Sequence, residues 1–75
     1  MPSEQELKLI RLEQVNRRIF EASDRIERQK TLINKLAAQN QDTTRANALL
    51  REYTTMFDWL LDHREQILKV LDSIT

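Results

Sequence analysis

The residues best able to do chemistry in this sequence are one histidine, a row of arginines and a lone tryptophan. His63 could act as a general base or a metal ligand, and its same-face neighbours on a helix would be Trp59, Leu60, Gln66 and Ile67. None of these supplies the carboxylate or second imidazole that would orient or complete such a site. The Glu-x-x-His pattern of carboxylate metal bundles is missing, because position 60 is leucine. His63 therefore reads as a packing or rim residue. The chain has no glycine-rich phosphate loop, no nucleophile with a base at usable spacing and no convergent carboxylate pair. We expect a protein that is not an enzyme, holds no cofactor and binds no metal.

Arg11, Arg18 and Arg25 recur every seven residues and would form a ridge along a helix. Residues 8–35 hold eight basic and four acidic side chains, a local positive excess. One reading is a phosphate-binding face that contacts nucleic acid. The plainer reading is a solvated flank pairing with Asp58, Glu65 and Asp72, another seven-residue stripe, from a neighbouring hairpin. Interleaved acids blunt the field, and no set of stacking aromatics accompanies the ridge, which favours the plainer reading. Trp59 is either an interface anchor or a partly covered surface residue.

These side chains must be carried by helices. The chain of 75 residues contains no glycine, its only proline is Pro2, and 32% of it is charged. Leu, Arg, Glu, Gln, Ala and Lys dominate, all good helix formers. Ser3 followed by Glu6 is a capping box. From there an apolar seam runs Leu12, Val15, Ile19, Ala22, Ile26, Gln29, Ile33, Leu36, with spacings that alternate between three and four. Acid-first pairs Glu13–Arg17, Glu21–Arg25 and Asp24–Arg28 support the same helix. The pattern stops at residues 37–44, where Asn40 can adopt the left-handed conformation and Asp42 or Thr43 can cap the next helix. A second seam runs Ala46, Leu50, Tyr53, Phe57, Leu60, Arg64, Ile67, Leu71, Ile74.

The fold expected is all-α: an antiparallel two-helix hairpin of coiled-coil type, with helix one at about 4–39, a turn at about 40–42 and helix two at about 43–74. Folding at the turn matches Leu36 with Ala46, Ile33 with Leu50, Gln29 with Tyr53 and Ile26 with Phe57. It continues with Ala22 and Leu60, Ile19 and Arg64, Val15 and Ile67, then Leu12 and Leu71. In this register the Tyr53 hydroxyl can bond Gln29, and a slip of about half a turn stays open.

Helix two carries more apolar surface than one partner covers. Leu49, Met56 and Val70 flank its seam on one side, and Leu61 and Leu68 on the other, while Leu9, Ile10, Phe20 and Leu32 lie outside the seam of helix one. A chain this short, with no cysteine, reaches stability most economically by self-association. We therefore expect a homodimer closing into a four-helix bundle, with Leu49, Met56, Phe57, Leu60, Leu61, Arg64, Leu68 and Val70 at the interface. Leu60 would lie in a core shared between chains. Arg64, charged yet on the seam, is placed to fix register or oligomeric state.

From Asp42 onward the chain resembles a group of short bacterial helical-hairpin proteins of unknown function. They share an Asp-Thr turn, then Ala-x-x-Leu-Leu, then a His-Arg pair leading into Ile/Leu-Leu-x-x-Leu. Asp42, Thr43, Ala46, Leu49, Leu50, Leu60, His63, Arg64, Ile67, Leu68 and Leu71 carry the likeness. Many relatives have glycine before the turn aspartate, where this chain has Asn40 and Gln41. The resemblance implies a helical hairpin and no activity.

Basic and acidic side chains balance at twelve each, so no global field draws in nucleic acid or membrane. The opening MPSEQE has no apolar run and no stretch spans a membrane, so a cytoplasmic location and no membrane partner are expected. The leading functional expectation is a non-enzymatic module or small structural or regulatory protein that offers a helix face to a protein partner. The alternative is a small RNA-binding hairpin dimer, similar in outline to plasmid copy-number regulators, using Arg11, Arg18 and Arg25. A helix-turn-helix DNA reader fits poorly, since its helices are short and steeply crossed.

Overall fold

The computed structural model describes the backbone of residues 1–74 and the side chains of residues 1–73. Helix α1 spans Glu4–Ala38 and α2 spans Thr44–Ile74. The two pack against each other as a hairpin in a rod of 55 × 17 × 15 Å. Among the described residues there is no strand, and no helix is long and apolar enough to cross a membrane.

Local chemistry sets both ends of α1. Ser3 Oγ accepts the Glu6 backbone N–H at 3.1 Å, satisfying one of the donors that a helix start leaves open. The return bond from Glu6 to the Ser3 N–H does not form, so half of the expected capping box is present. At the other end Asn40 takes φ 57°, the left-handed region. The Gln41 N–H reaches back to the Leu36 carbonyl at 2.9 Å, and that of Asn40 to Ala37 at 3.0 Å. This is the Schellman pattern, with asparagine in the place glycine usually takes.

The start of α2 divides its capping between two residues. The Thr43 carbonyl accepts the Asn47 N–H at 2.8 Å, which makes Thr43 the N-cap. Asp42, one position earlier, accepts both the backbone N–H and the hydroxyl of Thr44. The non-helical link is thus residues 39–43, slightly longer than expected.

Inside the hairpin, Val15 of α1 packs with Leu60 and Ile67 of α2, and Leu12, Ile19, Ala22 and Leu71 close around them. Every expected seam position from Leu12 to Leu36 and from Ala46 to Leu71 is buried or half-buried. Ile74, the last expected seam residue, lies outside the residues whose side chains are described. The core is thin: Val15, at 3% exposure, is its most enclosed apolar side chain.

The layer pairing departs from the expected register only in part. Val15 clusters with Ile67, its expected partner, and also with Leu60. Gln29 does not meet the Tyr53 hydroxyl. Its Nε2 donates to the Ala46 carbonyl at 2.8 Å, nearer the turn. Tyr53 lies instead beneath Arg25, whose guanidinium carbon is 5.4 Å from the ring centroid. That contact also explains why the expected Glu21–Arg25 pair does not form: the arginine is drawn across to the other helix. Arg17–Glu13 and Arg28–Asp24 do form, at 4.0 and 3.0 Å, on exposed surface where each contributes a few tenths of a kcal/mol.

Candidate functional site

The two broad faces of the hairpin are chemically different, and helical geometry says why. Two residues along a helix correspond to roughly 200° around it. Arg11 and Arg18 of α1 and His63 and Val70 of α2 line one groove between the helices. Leu9, Phe20, Leu61 and Leu68 each lie two positions from one of these, and so fall on the opposite face. By the same spacing Glu13, Asn16, Glu65 and Asp72 also fall there, so the opposite face mixes apolar with polar and acidic side chains.

The basic groove encloses about 470 Å³. Lys8, Arg11 and Arg18 edge it from α1, His63 and Gln66 from α2, and Val15 and Ile67 form its floor. Among the described residues, no carboxylate lines it, and Lys8, Arg11 and Arg18 form no ion pair. Clustered cations without counter-charges are electrostatically unfavourable alone and gain from an anion. Lys8 was legible as a seam residue, one four-residue step before Leu12, yet the expected seam began a step too late. Arg25 does not join this groove. It borders a separate hollow of about 270 Å³ with Phe20, Glu21, Asp24 and Arg28, so the expected three-arginine site is two arginines and Lys8.

His63 and Trp59 stack on one another, with ring centroids 5.2 Å apart and planes 12° from parallel. The pair is a four-residue step along α2, where side chains stand one above the other. Trp59 is 56% exposed and borders a second hollow, about 730 Å³, with Ala48, Arg51, Glu52, Thr55 and Met56. The stacked rings thus stand between this hollow and the basic groove. No such aromatic platform was read from the sequence, where Trp59 and His63 were considered separately.

The expected interface residues separate into three groups. Leu60 is enclosed within its own hairpin at 4% exposure, and Phe57 and Arg64 are half-buried on the seam. Met56 and Val70 border the hollows of the basic face, while Leu49 is more than a third exposed. Leu61, half-buried, and Leu68, exposed, lie on the face opposite the groove. The Arg64 Nε is buried without a hydrogen-bond acceptor. Leaving such a donor unpaired costs about 1–3 kcal/mol.

No family model, no curated protein and no solved structure matches the chain.

Proposed function

We propose that the protein is a non-enzymatic interaction module that pairs with a second copy of itself, two hairpins closing into a four-helix bundle in the cytoplasm. The observation that carries this reading is the number of large apolar side chains left exposed by a single hairpin. Phe20 is 75% exposed, Leu9 50%, Met56 56% and Leu68 40%. A two-helix layer buries only one stripe of each helix, and the remainder needs a second layer. A broad face of 55 × 17 Å offers roughly 900 Å² per copy, close to the 800 Å² or so per partner of a stable interface. Apposing the same face of each copy gives a closed twofold pair.

The test is sedimentation together with far-UV circular dichroism over a dilution series, on the wild-type chain and on Leu68→Glu. Dimers that dissociate on dilution, and a variant that dissociates at much higher concentration, support the reading. A wild-type chain that stays helical and monomeric at all concentrations overturns it.

A further inference from the structure

We propose that the basic groove is a binding site for single-stranded nucleic acid, with Lys8, Arg11 and Arg18 holding phosphates and a base stacking on Trp59. The site needs no second copy, because it lies on the face opposite Leu61 and Leu68, so dimer formation and nucleic-acid binding are separable.

Three observations meet at this place. Among the described residues, the groove gathers three cations from one helix that form no ion pair, and no carboxylate stands on its walls. Charge complementarity therefore calls for an anion, and the cations from Lys8 to Arg18 are strung over roughly 15 Å of helix. A single phosphate would engage one end of that row, whereas a strand of a few nucleotides engages all of it. The second observation is the Trp59–His63 stack, which borders the groove through His63 and leaves Trp59 more than half exposed. Aromatic faces beside a cationic track are the combination that holds single strands without reading their sequence. The third is the hollow on the far side of Trp59, which gives a base room beside its ring, between Met56 and the charged side chains of Arg51 and Glu52. Paired helices of nucleic acid keep their bases stacked on each other, so a lone exposed platform favours the unpaired form. An acidic polypeptide would satisfy the cations and leave Trp59 unused.

Trp59 is the only tryptophan in the chain, so its fluorescence reports the site directly. The full chain is titrated with oligo-uridine, with an abasic oligomer of equal charge and with poly-glutamate. Oligo-uridine is expected to quench Trp59 and to be retained on a filter, with log affinity falling against log salt with a slope of about −2 for three contacts. Arg11→Gln/Arg18→Gln, two exposed positions whose loss leaves the core intact, is expected to bind roughly 25-fold more weakly at about 0.1 M salt. Trp59→Ala is expected to weaken oligo-uridine roughly tenfold while leaving the abasic oligomer unchanged. No retention at low salt overturns the proposal, as does a salt slope that survives the double arginine variant. Equal binding of poly-glutamate or of the abasic oligomer overturns the nucleic-acid assignment. Sedimentation of the same variants gives the dimer answer independently.

Discussion

Gln29 donates from its Nε2 to the Ala46 backbone carbonyl at 2.8 Å, joining the seam of α1 to the first turn of α2. Gln29 is 7% exposed, the one buried polar side chain of the hairpin among the described residues. Apolar seam contacts tolerate a shift of a few residues, because leucine and isoleucine pack without direction. A buried amide with a single acceptor does not, and polar seam residues of this kind select register at some cost in stability. Gln29→Leu is expected to keep helicity and to change stability by no more than about 1 kcal/mol, the bond lost offsetting the apolar area gained. The register should loosen. Nuclear Overhauser contacts between Arg25 and the Tyr53 ring, strong in the wild type, should weaken or split.

Arg64 makes the opposite argument. Its Nε is buried without an acceptor on a seam otherwise lined by Leu60 and Ile67. Arg64→Met keeps the unbranched stem and removes the orphaned donor. Stability is expected to rise by about 1–2 kcal/mol, measured by urea unfolding.

At the turn, Asn40 holds φ 57°. A β-branched residue there places its Cβ against the backbone, so Asn40→Val is expected to cost about 1–2 kcal/mol. Asn40→Gly is expected to be neutral or slightly stabilising, since glycine enters this region without steric penalty. Thermal unfolding of the pair of variants checks the ordering.

Asp42 gives the turn a pH dependence. The Thr44 hydroxyl and then the Thr44 N–H hold its carboxyl below the ordinary value of 3.8. Because the folded value is the lower one, the stabilisation is present above pH 3.8 and is lost as pH falls through the folded value. The Thr44 amide should therefore lose protection, relative to its intrinsic exchange rate, as pH falls through the folded value. Asp42→Asn, isosteric with the protonated carboxyl, should remove this acid step and lower the protection of the Thr44 amide already at neutral pH.

Much of this fold is visible in the residues themselves. Burial at every described seam position follows from apolar side chains recurring at three and four, and Asn40 is the natural residue for a left-handed stop without glycine. What could not be read is where a long polar side chain goes when two elements offer it partners. Arg25 had Glu21 one turn away on its own helix, yet it lies on Tyr53, 28 positions along the chain. Gln29 had a tyrosine hydroxyl as its expected partner and took a backbone carbonyl, because the hairpin register places Ala46 within reach. The groove likewise joins side chains of both helices, with His63 lining it together with Arg11 and Arg18. The basic groove is a product of register, and register is a property of the folded pair of helices.

The link at residues 39–43 is the only joint of the rod, and the basic groove lies far from it, between the N-terminal half of α1 and the C-terminal half of α2. A hairpin held at one end behaves like a zipper: the closed end stays shut and the free ends part first. Lys8, Arg11 and Arg18 are on one of those free ends and His63 and Gln66 on the other, so separation of the helices dismantles the groove before it disturbs Gln29 or Ala46. Any anion that engages both sides at once acts as a clasp. It draws its affinity in part from holding the ends together, and it should slow amide exchange around Val15 and Ile67 without touching the turn.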